Sequence, residues 1–168
     1  MGKALSEKPK ISWTHREGIL SAVSAGFFLI LAGTIFIITP NLLDKFTSFF
    51  QDFNTIDVPH TSIFLPAPVH PERHAAVYST VQQFSLVWGI FLIAMLALRI
   101  FFRSPLRKKV DNAGDIVFWL GTTYLISTML NETTTTTTWF IFWTEVLMLV
   151  GVSLIVRAVI LAAMRLRI

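Results

Sequence analysis

The chain has 168 residues, of which 54% are hydrophobic and only 14% charged, whereas a water-soluble domain carries about 25% charged residues. Its net charge of +4 is clustered, with no basic groove of interleaved aromatics, which argues against a nucleic-acid surface and for a chain whose solvent is lipid. There is no cysteine, so disulfides, thiol nucleophiles and Cys-ligated zinc or iron–sulfur centres are excluded.

Residues 1–17 are polar and carry Lys3, Lys8, Lys10 and Arg16. Residues 18–39 follow, 22 positions without a charge. At about 1.5 Å per residue such a helix spans roughly 33 Å, enough for a hydrocarbon core of about 30 Å. The stretch is too long for the apolar part of a signal peptide. Ile38-Thr39-Pro40-Asn41 also offers no small-residue cleavage site, so it reads as an uncleaved anchor.

A helix is expected over 40–53. Leu42, Leu43, Phe46, Phe49, Phe50 and Phe53 recur at the spacing of one helical face. Asp44, Lys45, Thr47, Ser48, Gln51 and Asp52 fill the other face, with Thr39 as N-cap and Pro40 in the first helical position. Such an amphipathic helix either lies flat on the outer membrane surface or closes as a lid over its own bundle. Residues 57–71, with Pro59, Pro66, Pro68 and Pro71, read as extended, turn-rich chain without regular structure.

The second span is expected at 75–98, 24 residues without a charge. The third apolar stretch, 116–130, has only 15 residues and lengthens to 114–132 if Glu132 sits at the interface. The six threonines of 133–138 are β-branched and suit a short loop. The fourth span, 139–164, contains Glu145 and Arg157. Residues 1–168 thus form a single membrane domain, all-α, of four transmembrane helices and one amphipathic outer-loop helix.

Charge decides for four crossings. With the N-terminus cytoplasmic, the inner side holds Lys3, Lys8, Lys10, Arg16, Arg99, Arg103, Arg107, Lys108, Lys109, Arg157, Arg165 and Arg167, and the outer side only Lys45 and Arg73. This is the positive-inside pattern, and it places both termini in the cytoplasm of a multi-pass cell-membrane protein. If the third stretch did not cross, the basic C-terminal end would be stranded outside. Trp139, Trp143 and Tyr78 then fall near the outer interface and Trp13 and Trp119 near the inner one, while Trp88 falls mid-membrane as a packing residue.

Two sets of residues could carry chemistry. Glu145 lies six residues into the last span, and an intramembrane acid is by default a functional hypothesis. It could serve a proton relay with Gln82 or Gln83, or simply bond one of them, or reach headgroup water. Arg157 is too far along the same helix to pair with it and is expected to snorkel inward beside Arg99 and Arg103. The second set is His60, His70 and His74, which share the outer loop with Asp57 and Glu72 and could hold a metal ion, although no HExxH pattern is present. All four histidines, His15 included, lie outside the spans, which argues against a bis-His haem.

Ser21/Ala25, Ala22/Gly26 and Ser85/Gly89 are small residues four apart and are expected to bring the first two spans into contact. Thr122, Thr123 and Ser127 can satisfy themselves on their own backbone. No Ser-His-Asp set or Gly-rich phosphate loop is present.

The segment Trp13-Thr14-His15-Arg16-Glu17-Gly18-Ile19-Leu20-Ser21-Ala22-Val23 resembles the start of uncharacterised archaeal integral membrane proteins. Phe118-Trp119-Leu120-Gly121 and Asn131-Glu132-Thr133 resemble them as well. The resemblance implies a four-helix membrane protein and brings no activity or site residue with it. The expected role is a non-enzymatic structural or accessory subunit packing with other membrane helices or with copies of itself, without a cofactor and without nucleic acid. The alternatives are a small proton-coupled transporter using Glu145 and an outer-surface metal-binding protein using the loop histidines.

Overall fold

The structure is a computed structural model and describes residues 13–59 and 61–165. The chain is mostly helical. Its elements in order are α1 (Trp13–Ile38), α2 (Leu42–Gln51), β1 (Phe53–Asp57), β2 (Phe64–Pro68), a 3₁₀ turn (Pro71–His74), α3 (Ala75–Phe101), α4 (Leu106–Met129) and α5 (Thr136–Arg165). Among the described residues, three helical stretches are long and apolar enough to cross a membrane: Glu17–Ile38, Pro71–Phe101 and Thr136–Met164. They lie in α1, in the 3₁₀ turn with α3, and in α5.

Local chemistry explains the boundaries, and four of them differ from the sequence expectation. First, Thr39 and Pro40 do not open α2. Residues preceding a proline avoid the helical region, so α1 ends at Ile38. Asn41, which tolerates left-handed backbone, makes the turn at φ 53° and stands as the N-cap of α2. Second, residues 57–71 are not without regular structure. β1 and β2 form an antiparallel hairpin with Asn54 opposite Ala67 and Ile56 opposite Leu65. Hydrogen bonds from Val58 N–H to Ile63 O and from Val69 N–H to Asp52 O, at 2.9 and 3.0 Å, set the hydrogen-bonded pairs at odd-numbered residues of β2. Pro66 and Pro68 therefore fall at positions where a missing N–H costs no ladder bond.

Third, α4 runs from Leu106 to Met129 rather than over 114–132. Its first two turns are the charged segment that hydropathy set aside. Fourth, the threonine run is partly helical, since α5 begins at Thr136. Thr135 caps it by accepting the Thr138 N–H on Oγ1 at 3.2 Å, a role Thr fills well because its oxygen reaches an orphan first-turn donor.

α3, α4 and α5 pack antiparallel in sequence order, with α4 shared between the other two. Close approach is possible because Gly89 lies against Leu120 and Gly121 against Leu149. Ser85/Gly89 thus joins α3 to α4, not to α1 as expected. The α1 pairs do not make the expected contact either: a Cβ added at Gly26 would meet no neighbour. Instead α1 leans on α3 through aromatic rings, Phe27 on Phe91 with centroids 4.0 Å apart and Phe28 edge-on to Trp88 at 5.7 Å. Trp88 is a packing residue there, as read from its mid-span position.

The polar groups of α4 are met by its neighbours. Asn112, buried, donates from Nδ2 to the Leu92 carbonyl at 2.7 Å, and Ser153 Oγ donates to the Gly114 carbonyl at 3.1 Å. Arg157 Nη2 donates to Asp115 Oδ1 at 2.7 Å. To reach it, the Arg157 side chain crosses the bare backbone of Gly114, where an added Cβ would clash with Nε, Cγ and Cδ. Gly114→Ala is therefore expected to displace the guanidinium and lower stability by about 1–3 kcal/mol, the usual cost of overpacking, read as a fall in the helix-melting temperature of the purified protein.

Candidate functional site

One end of the bundle is closed by α2 and the hairpin, and the sites worth testing gather beneath them. Leu42 and Phe46 of α2 pack with Leu31, Ile35 and Trp88. Phe49 meets the rings of His74, Tyr78 and Trp139 at centroid distances of 5.1, 6.1 and 6.0 Å. Phe53 and Ile56 of the hairpin join the same cluster around Ala67, Ile126, Leu130 and Phe142. Tyr78 and Trp139 are buried, because this cap covers them.

A carboxylate ties the cap down. Asp52, at the C-terminal end of α2, accepts three hydrogen bonds from the turn that leads into α3. The His70 backbone N–H reaches Oδ2 at 2.8 Å, His70 Nδ1–H reaches Oδ1 at 3.0 Å, and His74 Nε2–H reaches Oδ2 at 2.9 Å. An ionised carboxylate only accepts, so both facing ring nitrogens carry their hydrogen. Burial works against ionisation of Asp52, but the His70 and His74 donors outweigh it and hold the carboxyl at about 2, below its ordinary 3.8.

Two of the loop histidines named from the sequence are thus brought together, by an aspartate that the sequence had put on the polar face of α2. Periodicity classes a residue by face, and the length of chain between Asp52 and His70 hid their contact. His60 lies outside the described residues. Asp57 is exposed on the hairpin, and Glu72 is paired loosely with Arg73 at 4.0 Å. Among the described residues no three His, Asp or Glu groups are placed to hold a metal ion, and no hydroxyl is hydrogen-bonded to either ring.

Beneath the cap lies a cavity of about 330 Å³ between α3, α4 and α5. Its walls are apolar and largely aromatic, including Phe118, Trp119, Trp139, Phe142 and Trp143, and no charged side chain lines it. Trp119 was expected near the inner interface. In the structure it packs against Phe84, at 5.8 Å between ring centroids. Three hydroxyl-bearing side chains line the space: Tyr78, Ser85 and Thr122. Ser85 donates to the Val81 carbonyl at 2.8 Å. Tyr78 and Thr122, only 3% and 9% exposed, have hydroxyls with no partner among the described residues. Thr123 and Ser127 do bond their own helix, as expected, but Thr122 does not.

The intramembrane candidates are scattered. Glu145 is half-buried on α5 and makes no hydrogen bond or ion pair among the described residues. Gln82 opens on a separate groove with Ser127, Asn131 and Glu132, and Gln83 is exposed. Neither amide bonds Glu145. Arg157 is not an isolated snorkelling residue: it pairs with Asp115, a partner that no spacing rule within one helix could reveal. Arg99 donates to the Lys108 carbonyl at 2.8 Å across the α3–α4 turn.

No family model, curated protein or solved structure matches the chain.

The Asp52 clamp has a defined pH signature. A carboxyl with a lowered folded-state pKa adds stability that is fully present above its unfolded value, near 4, and is lost as pH falls toward about 2. Asp52→Ala should cost about 1–3 kcal/mol at neutral pH, since it strands a buried His74 N–H. Hydrogen exchange should show this as faster exchange of the α2 and hairpin amides in the variant, and its thermal stability should lose the acid-dependent step.

Proposed function

We propose that the chain is an integral membrane protein in which α1, α3, α4 and α5 all cross the bilayer, with both termini cytoplasmic, and that it serves as a non-catalytic accessory subunit. The observation that carries this reading is the way α4 is held. Its composition alone is too polar for a span, and an unpaired Asp at membrane depth is costly. Yet Asp115 is paired with Arg157, and Asn112 donates to a backbone carbonyl of α3. Polar contacts between helices are how bilayer-embedded helices accommodate such groups. A paired α4 can run beside its apolar neighbours through the hydrocarbon.

With α4 across, the α3–α4 turn and its basic residues Arg103, Arg107, Lys108 and Lys109 lie with both termini, and the hairpin lies outside. That is the arrangement the lysine and arginine distribution favours. α2 then serves as a lid, with Leu42, Phe46 and Phe49 packed on the bundle, while exposed Leu43 and Phe50 face the headgroup region. The accessory role is supported by α1. It is attached to α3 along the stripe of Phe27, Leu31 and Ile35, and on its other side a Cβ at Gly18, Gly26 or Gly33 would meet nothing within 4 Å among the described residues. Small residues permit close approach of a further helix in lipid.

Topology can be read directly, because the chain has no cysteine to remove. Single cysteines at Asn54, Arg107 and Thr133 should divide into two groups under a membrane-impermeant maleimide. Asn54→Cys and Thr133→Cys should label in intact cells, and Arg107→Cys only in inverted vesicles. Labelling of Arg107→Cys and Thr133→Cys from the same side would overturn the crossing of α4. A monodisperse monomer that brings no partner out of its native membrane would overturn the accessory role while leaving the topology intact.

A further inference from the structure

We infer that the turn between α3 and α4 is a docking site for the headgroup of an anionic phospholipid. The observation that carries it is a run of cations with nothing to neutralise them. Arg99, Arg103, Arg107, Lys108 and Lys109 fall on the turn and its two flanking helix ends, and residues 99–110 hold no Asp or Glu. Arg99 is engaged in the fold, because its Nη1 donates to the Lys108 carbonyl at 2.8 Å and ties the two helix ends together. The other four make no ion pair among the described residues, and Asp111, one helical turn on from Arg107, does not pair with it. Arg103, Arg107 and Lys108 are exposed and Lys109 is half-buried. Like charges so close together repel, and a phosphate among them replaces that repulsion with charge-assisted hydrogen bonds.

Two features set these cations against the preferences of the backbone. α3 closes with a pair of hydrogen bonds, from Arg103 N–H to Ile100 O at 3.1 Å and from Ser104 N–H to Arg99 O at 2.9 Å. That closure needs left-handed backbone at residue 103, where glycine is the usual occupant. Arg103 holds the conformation at φ 53°, and arginine is not among the residues that take it readily. Strained non-glycine positions of this kind collect where a ligand is held. Beyond the turn, the start of α4 carries Arg107, Lys108 and Lys109 and its first turn has no acidic residue. The positive end of a helix dipole disfavours cations there. Both placements cost stability in the free chain, and an anion bound to the cations offsets the second directly.

The apolar surroundings choose a lipid over a free phosphate. The turn follows directly on Pro71–Phe101, a stretch apolar enough to cross the bilayer, so it lies where acyl chains give way to headgroups. Phe101 and Phe102 are 79% and 39% exposed, with their rings edge-on at 5.4 Å. A phospholipid engages both chemistries at once, its phosphate on the cations and its upper acyl chain on the rings. A free phosphate uses only the first. The inference rests on the membrane reading of α3 given above, and neither on which side the turn faces nor on the accessory role.

The test is a titration of the full chain in a neutral detergent with dioleoyl phosphatidylglycerol and, separately, with dioleoyl phosphatidylcholine. Lipid retained per chain is counted by native mass spectrometry, and the melting temperature is followed in parallel. Saturable retention of phosphatidylglycerol with a rise in melting temperature is expected, and weaker retention of phosphatidylcholine. Higher ionic strength should weaken the first selectively. Arg103→Gly and Lys108→Gln should each lower affinity for phosphatidylglycerol by about fivefold, the share of one cation at an anionic surface. Arg103→Gly carries a second readout: glycine suits the left-handed position, so the lipid-free variant should melt no lower than the parent while binding less. Equal retention of the two lipids, or unchanged affinity in both variants, would overturn the inference. Displacement of the lipid by equimolar inorganic phosphate would overturn the lipid as occupant and leave a simple anion site. Release of the chain from its native membrane by alkaline carbonate would instead overturn the membrane reading on which the inference rests.

Discussion

Asp115 and Arg157 have to meet for α4 to sit where it does. α4 carries Asp111, Asn112 and Asp115 into the space between two apolar helices, and each buried polar group there needs a partner. The partner for Asp115 comes from α5, and its path is open only because Gly114 lacks a side chain. Asn112 turns the other way, to the Leu92 carbonyl of α3. α4 is thus pinned on both flanks by polar contacts, and the glycines at 89 and 121 let its neighbours close to van der Waals distance. α3 and α5 are both committed to α4, and the aromatic cavity lies among these three helices at the end covered by α2.

That end is organised by a different chemistry. α2 and the hairpin present Phe49, Phe53 and Ile56 to Tyr78 and Trp139, and the rings meet mostly edge to face, the geometry their quadrupoles prefer. Non-directional burial would allow the cap to slide. Asp52 removes that freedom, because three donors from residues 70 and 74 converge on its two oxygens. One carboxylate therefore sets the register between the end of α2 and the start of α3, and with it the height of Phe49 above the cavity.

Much of this was legible in the chain itself. Charge-free runs long enough to span lipid located α1, α3 and most of α5, because hydropathy is a local property. The α2 stripe was equally local. The misses share one cause: they depend on partners distant in sequence. Asp52 reads as a polar-face residue until His70 and His74 fold back on it. Pro66 and Pro68 read as breakers until strand parity puts them at positions that bond nothing. The early start of α4 is hidden because its charges look like loop, and Thr135 and Thr136 look like low-complexity chain until Thr135 is recognised as a cap. The distribution of lysine and arginine sums over the whole chain and is indifferent to how polar α4 is, which is why it argues for a crossing that hydropathy leaves out.

The polar groups of the bundle are met unevenly. Three groups of α4 are met by residues of this chain: Asp115 by Arg157, Asn112 by a carbonyl, and Gly114 O by Ser153. Arg99 and Arg157 each leave Nε without a partner among the described residues, but both guanidiniums have other N–H groups engaged. Tyr78 and Thr122 differ, because each has a single hydroxyl and that hydroxyl is unmet. A bundle that satisfies an aspartate, an asparagine and a serine internally does not lack the means to pair a threonine. Both hydroxyls are enclosed by apolar neighbours and do not open on the cavity, so each is a buried donor left unmet within the packing.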